Sequence, residues 1–249
     1  MTRLGVLGWP VGHSRSPAMQ RAALRAVGLD GWAYQLLPVP PELFEETVRG
    51  LSAAGFIGAN VTIPHKEAAL AVADSATPLA RTIGAANTLT FTPDGIKADN
   101  TDAPGLLAAI GEVPATALVL GAGGSARAAV HALSGAGCDV LVHARTPSRA
   151  EGLPATVVDR PVAAQALVNC TPVGLHDPDE LPLDPAGYEL VVDFVYRDGG
   201  TALTRRATGR VVDGLELLVR QGALSFTRWT GREAPLDAMR AAVHIPLTR

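Results

Sequence analysis

The segment Gly121-Ala122-Gly123-Gly124-Ser125-Ala126 constrains this chain more than any other. It follows a β-rich run, Thr116–Leu120, and opens an alanine-rich stretch that reads as a helix to about Ser134. The pattern G-x-G-x-x-A between a strand and a helix is the dinucleotide fingerprint. The first glycine permits a tight turn, and the second lets the backbone approach a pyrophosphate. The small last residue lets helix and strand pack closely. The helix N-terminus then offers N–H groups and the positive end of its dipole to the phosphates. An ordinary strand–turn–helix corner also satisfies so short a pattern.

The residues after the next strand select the cofactor. An NAD site usually carries an acid about 20 residues beyond the loop, bonded to the ribose 2′-OH. Here Val140–His143 reads as that strand, and Ala144-Arg145-Thr146-Pro147-Ser148-Arg149 comes next with two arginines and no carboxylate. Guanidinium groups suit a 2′-phosphate. Arg145, Thr146 and Arg149 are therefore expected to hold NADP (NADPH); a solvated basic loop is the alternative.

The rest of the chain has the same alternating character. Strands are expected at Leu4–Leu7, Ala33–Leu37 and Phe56–Thr62, with a hairpin over Asn87–Phe91 and Ile96–Ala98 turned by Pro93-Asp94-Gly95. Helices are expected at Pro17–Val27 with Ser16 as N-cap, at Pro41–Ala54 and at His65–Ala73. After a helix from Ala103 to about Ile110, further strands fall at Ala166–Asn169 and Leu190–Asp193, and closing helices near Leu215–Thr227 and Pro235–Val243. Such alternation predicts an α/β fold with open sheets. A length of 249 residues accommodates two moderate domains. The expected division is 1–101 plus 214–249 as one domain and 102–213 as the dinucleotide-binding one.

Composition narrows the function classes. A hydrophobic content of 47% and a charged content of 18% describe an ordinary globular chain. A net charge of −3 without any basic run argues against a nucleic-acid partner. No run approaches the roughly 18 apolar residues of a membrane span, and the N-terminal apolar run is too short for a signal peptide. Cys138 and Cys170 have no metal-ligand or CxxC spacing, so no metal is expected and a cytoplasmic location is.

Polar residues gather in the N-terminal part. His13-Ser14-Arg15-Ser16-Pro17 puts two hydroxyls at a helix start, a natural carboxylate site, though Ser16 as a plain N-cap fits equally. Asn60 and Thr62 share a strand face, and Lys66 follows in the first helical turn. Only Lys66 and Lys97 among 21 basic residues are lysines. A cation beside a helix N-terminus is electrostatically disfavoured, which suits Lys66 to proton transfer; an ordinary surface lysine is the bland alternative. Asn100-Thr101-Asp102 precedes the helix at the domain boundary, where Asp102 serves either as N-cap or as a site carboxylate. Asn87-Thr88 adds a polar pair at a strand start.

Taken in order, these segments resemble the shikimate dehydrogenase family: Gly12 to Pro17, Asn60 to Lys66, Gly84-Ala85-Ala86-Asn87-Thr88, Asn100-Thr101-Asp102, Gly121 to Ala126, Asn169-Cys170-Thr171-Pro172-Val173-Gly174, Asp193-Phe194-Val195-Tyr196, and Asp213-Gly214-Leu215 leading to Gln221. The resemblance implies two open-sheet α/β domains separated by a cleft, an N-terminal substrate domain and a Rossmann-like NADP-binding domain. It implies NADPH-dependent, reversible reduction of 3-dehydroshikimate to shikimate in chorismate and aromatic amino-acid biosynthesis. By motif position, Ser14 and Ser16 hold the substrate carboxylate, and Asn60, Thr62, Asn87, Asp102, Tyr196 and Gln221 surround the ring hydroxyls. Lys66 is the catalytic proton carrier, paired with Asp102. Gly121, Ala122, Gly123, Gly124, Ser125 and Ala126 hold the pyrophosphate; Arg145, Thr146 and Arg149 hold the adenosine phosphate; Thr171, Phe194 and Gly214 line the nicotinamide pocket.

The chain departs from the family's pattern in places. Ala98 and Ala103 stand where glycine is common, and Phe194, Leu175 and Leu217 where methionine is. None removes a polar group. The rival readings are a quinate/shikimate dehydrogenase using NAD and a non-catalytic dinucleotide-binding regulator. The expected partner is a small molecule, with no nucleic acid and no membrane, in a monomer or homodimer.

Overall fold

The computed structural model describes residues 1–177 and 179–244. The chain divides into two compact units: Met1–Thr101 with Val219–Arg249, and Asp102–Leu218. The return to the first unit falls inside a helix, five residues later than the boundary at 214 that the sequence suggests.

The first unit begins β1 (Thr2–Gly8), α1 (Ser16–Ala26), β2 (Trp32–Pro38), α2 (Phe44–Leu51), β3 (Phe56–Val61), α3 (Lys66–Ala71), β4 (Ser75–Ala76), α4 (Pro78–Ile83), β5 (Thr88–Thr92) and β6 (Gly95–Asp99). Its sheet has the order β2-β1-β3-β5-β6-β4. β1 runs parallel to β2 and β3, because a helix returns the chain each time. The hairpin then reverses direction: β5 pairs antiparallel with both β3 and β6. The Thr92–Gly95 register leaves Pro93-Asp94 as a two-residue turn, closed by Gly95 at φ 114°. Leu7, Phe44, Val48, Val61 and Leu89 fill the core beneath.

Several local expectations are corrected here. Ser16 is the first helical residue of α1 and Arg15 the N-cap, with no side-chain capping bond. Arg15 already has helical dihedrals, φ −85° and ψ −1°, so the turn starts one residue early. The helix expected over 41–54 is a 3-10 turn, Pro41–Leu43, followed by the shorter α2. α4 was not anticipated, although Thr77 caps it, Pro78 opens it and Gly84 ends it in the left-handed region.

The second unit comprises α5 (Asp102–Ile110), β7 (Thr116–Leu120), α6 (Gly124–Gly135), β8 (Asp139–His143), β9 (Thr156–Val157), β10 (Ala166–Asn169), β11 (Leu190–Asp193), α7 (Ala202–Arg206), β12 (Arg210–Val212) and the start of α8 (Gly214–Thr230). α9 (Leu236–Val243) belongs to the first unit. Asp102 opens α5 as a helical residue rather than standing outside it as a cap. The sheet order β12-β11-β10-β7-β8-β9 has every pairing parallel. Counted from β7, this is the doubly wound order 6-5-4-1-2-3. Its topological switch point lies between β7 and β10, where such sheets bind ligands beyond their C-terminal ends. Leu118, Leu120, Leu167 and Val191 form part of its core.

Within the first unit, α8 lies against the sheet. The Trp229 indole donates to Leu89 O at 3.0 Å. A Cβ on Gly58 would stand 2.2 Å from Trp229 Nε1, so only glycine admits this helix.

Candidate functional site

In the first unit, Ser14 and Ser16 come together at the head of α1. The Ser14 hydroxyl accepts the Ser16 N–H at 3.3 Å, and both residues are buried. Arg15 between them points elsewhere: its guanidinium donates to Val243 O at 2.6 Å, at the end of α9. A cation suits that helix C-terminus.

Lys66 heads α3 and is only 9% exposed, which removes it from the class of ordinary surface lysines. The turn before it is held by His65. That ring stacks on Phe44 at 4.4 Å between centroids, and Nε2 lies 2.7 Å from Val39 O. Burial lowers the His65 pKa, opposed by the bond to Val39. His65 is thus a neutral core group that donates to a carbonyl. Thr62 sits one residue past β3, its N–H bonded to Leu7 O at 2.8 Å. Its methyl packs so close to Gly8 that a Cβ there would meet it at 2.5 Å.

Asn60, Asn87 and Gln221 belong to one buried network. Asn60 accepts from Tyr34 Oη at 2.8 Å, and its amide N–H₂ faces Asn87 O, Thr88 Oγ1 and Ser225 Oγ at 3.2, 3.3 and 2.9 Å. Asn87 donates to Thr101 Oγ1 at 3.0 Å and Gln221 Oε1 at 3.2 Å, and accepts the Thr101 N–H at 2.7 Å. That last bond fixes the backbone next to Asp102. The Ala86 N–H bonds Lys66 O at 2.8 Å, tying the same segment to α3. Sequence reading missed Tyr34 and Ser225. Ser225 lies four residues after Gln221 on α8, so helical spacing alone puts the two on one face.

In the second unit, Gly121 has φ 106°, a left-handed-side conformation that calls for glycine. Its N–H bonds His143 O at 2.9 Å, which ties the loop to the end of β8. Arg145, Thr146 and Arg149 follow directly and are exposed. A Cβ on Gly121 would meet the Cys170 backbone and Thr171 Cγ2, each at 3.5 Å. Thr171 therefore lies beside the glycine loop, at the end of β10. α6 has no side-chain cap at Gly123 and no acid in its first turn, and among the described residues none would come within 4 Å of a Cβ at Gly123. This bare loop before an uncapped helix fits a dinucleotide pyrophosphate. Gly214 packs so tightly on Phe194 O and Val195 O that a Cβ would stand 2.9 and 2.8 Å from them. Tyr196 follows in the same loop, half-buried. Cys138 is no nucleophile: burial, then Asp139, push its thiol up to about 11.

Two family models match the chain. One describes the shikimate dehydrogenase substrate binding domain, over residues 6–89. The other describes the shikimate 5′-dehydrogenase C-terminal domain, over residues 214–244. A shikimate dehydrogenase (NADP(+)) of Anaeromyxobacter sp. (strain Fw109-5) is 46% identical, covering 97% of this chain and 95% of that protein. One from Methanothermobacter thermautotrophicus is 40% identical, covering 98% and 96%. Among solved structures, shikimate 5-dehydrogenase from Thermus thermophilus, in complex with NADP(H) and shikimate, superposes with a TM-score of 0.89. It is 42% identical and 98% of each chain is covered.

Proposed function

The chain belongs to the shikimate dehydrogenase family, and we propose that it interconverts 3-dehydroshikimate and shikimate as an NADP-dependent oxidoreductase of aromatic biosynthesis. The observation that carries this reading is the glycine loop at the switch point, followed after β8 by two arginines and no acid. NADPH, when bound, supplies the hydride that reduces the 3-keto carbon.

The chain's own residues do the rest. Ser14 and Ser16 bind the substrate carboxylate from one helix head, where the Ser14 hydroxyl lies 3.3 Å from the Ser16 backbone nitrogen. Asn60, Thr62, Asn87, Tyr196 and Gln221 orient the ring; the shared network behind Asn60, Asn87 and Gln221 supports their joint action. Lys66 gives a proton to the oxygen formed on reduction and takes it back in reverse. Asp102 orients Lys66 and the neighbouring hydroxyl. The backbone of Gly121 to Ala126 holds the pyrophosphate, and Arg145, Thr146 and Arg149 the 2′-phosphate. Thr171, Phe194 and Gly214 line the nicotinamide site. The unit Met1–Thr101 with Val219–Arg249 binds substrate, and the unit Asp102–Leu218 binds NADP.

Among the described residues no helix is long and apolar enough to cross a membrane. Cys138 and Cys170 are unbridged, which supports the cytoplasm as the place of action. A monomer or homodimer binding only small molecules completes the proposal. The test is spectrophotometric, with the purified chain and 3-dehydroshikimate. Oxidation of NADPH that depends on the keto acid, and outpaces that of NADH, supports the reading; its absence sinks it.

A further inference from the structure

We infer that Thr171 meets the nicotinamide half of the cofactor as a hydrogen-bond acceptor only, a direction imposed by the buried pair Asn169 and Asp193. The inference rests on the cofactor reading given above and adds to it the polarity of one contact and the residues that set it.

Asn169 and Asp193 end the neighbouring strands β10 and β11 in direct register, and neither has any solvent exposure. Asp193 Oδ1 accepts from Asn169 Nδ2 at 3.0 Å and from the Val195 N–H at 3.0 Å. Its Oδ2 accepts from Thr201 Oγ1 at 2.6 Å. The amide of Asn169 therefore has one orientation: nitrogen toward the carboxylate, oxygen toward Thr171. The Thr171 N–H, which can only donate, confirms it at 3.1 Å from Asn169 Oδ1.

The same oxygen lies 2.7 Å from Thr171 Oγ1. An amide oxygen cannot donate, so the single hydroxyl proton of Thr171 is committed inward. Of its two lone pairs, one takes the Val173 N–H at 3.3 Å. What remains for a ligand is one acceptor position beside the glycine loop. A nicotinamide riboside offers two kinds of donor to such a position, the carboxamide N–H and a ribose O–H. A structural polar cluster alone gives no reason to end on a partly exposed threonine whose methyl packs beside Gly121. Asn169 and Asp193 are thus positioning residues, acting through Thr171.

The test is calorimetric titration of the purified chain with three probes: NADP, its 3-acetylpyridine analogue, which lacks the amide donor, and adenosine 2′,5′-bisphosphate, which lacks the nicotinamide half. Thr171→Val is expected to weaken NADP by about three- to tenfold, the worth of one neutral hydrogen bond, with the bisphosphate unchanged. Thr171→Ser should bind as wild type. If wild type disfavours the acetylpyridine analogue and Thr171→Val erases the difference, the donor is the carboxamide. If Thr171→Val weakens both dinucleotides equally, it is a ribose hydroxyl. Asn169→Leu should weaken NADP like Thr171→Val, and the two together should lose no more than either. Bisphosphate binding reports that the domain has folded. NADP affinity untouched by Thr171→Val, equal loss of the bisphosphate, or additive losses each overturn the inference. Wild type that binds neither NADP nor the bisphosphate overturns the cofactor reading instead.

Discussion

The side-chain amide of Asn87 donates to Gln221 Oε1 at 3.2 Å, joining residues 134 positions apart in the chain. Asn87 stands just before β5 and Gln221 lies on α8, so the hydrogen bonding around Asn87 depends on a helix from the far end of the sequence. Asn87 also accepts the Thr101 N–H and bonds the Thr101 hydroxyl. Asn87→Ala therefore leaves a buried N–H without its acceptor and takes one donor from Gln221. A buried unsatisfied group costs about 1–3 kcal/mol, so the melting temperature should fall by several degrees and kcat should fall with it. A variant of wild-type stability would show that the network is replaced by water.

Lys66→Ala should abolish most turnover. A general acid contributes roughly 10²–10⁴-fold, and the loss should appear in kcat. Fluorescence titration should show NADPH binding nearly as tightly as wild type, because Lys66 and the glycine loop lie in different units. Lys66→Arg should rescue little, since guanidinium does not give up its proton near neutral pH. More than about a tenth of wild-type kcat in the alanine variant would end the assignment.

Ser14 and Ser16 can be separated from a capping role. Ser16 is the first residue of α1 rather than its N-cap, which is Arg15, and the Ser14 hydroxyl takes the Ser16 N–H only at a long 3.3 Å. Replacing both by alanine should leave the melting temperature close to wild type while raising KM for shikimate. Hydrogen bonds to a charged group are worth about 1.5–3 kcal/mol each, so KM should rise by more than about tenfold. An unchanged KM with a lowered melting temperature would return them to structural duty.

Asp193 gives the protein a pH dependence of known sign. Burial raises its pKa to about 6, with Thr201, Val195 and Asn169 opposing and Asp213 adding to the rise. An acid whose pKa is higher folded than unfolded binds protons more readily in the folded state. Its stabilising share is whole below about pH 4 and is lost as pH rises through about 6. A shift of two units corresponds to about 3 kcal/mol. Asp193→Asn keeps the shape and a carbonyl for Asn169 but cannot ionise. Relative to that variant, wild type should lose stability between about pH 4 and pH 7, as read by denaturant midpoints. Parallel curves would remove the ionisation from the account.

How far these features were legible depends on how local their signals are. The glycine loop is local: three glycines between an apolar strand and an alanine-rich helix, and its structure follows the pattern. α4 was equally local, bracketed by Thr77, Pro78 and Gly84, yet its apolar run is too short to stand out. The Thr201 capping box of α7 is of the same kind. The network behind Asn60 is different. Ser225 reaches Asn60 across 165 positions and Tyr34 across 26. No periodicity links such residues; only the fold brings them together. The family resemblance named Asn60 as a substrate group, whereas the geometry adds that its amide is spent largely on neighbours. The same holds for Asp193, a plain strand-end acid until burial and three hydrogen bonds give it a task.

Cofactor choice is where residue identity and geometry converge. NADP differs from NAD by one 2′-phosphate. The Gly121 N–H bonds His143 O, so the residues after β8 begin beside the glycine loop. Arg145 is the second of them, and Arg149 ends in the 3-10 turn Pro147–Ala150. That turn brings the chain back, since the Arg149 N–H bonds Thr146 O at 3.1 Å. No carboxylate lies between His143 and Ala150 to bind the 2′-OH of NAD. Both arginines are exposed, so each phosphate contact is discounted for screening. Each should still favour NADP by about tenfold, and the two together by about a hundredfold. Replacing both by alanine should weaken NADP strongly and NAD hardly at all. Added salt should narrow the wild-type preference, because screening acts on the phosphate contacts more than on the shared remainder. Equal kcat/KM for the two cofactors in wild type would remove the NADP assignment. A preference that survives the double substitution would leave NADP in place and move its recognition to other residues.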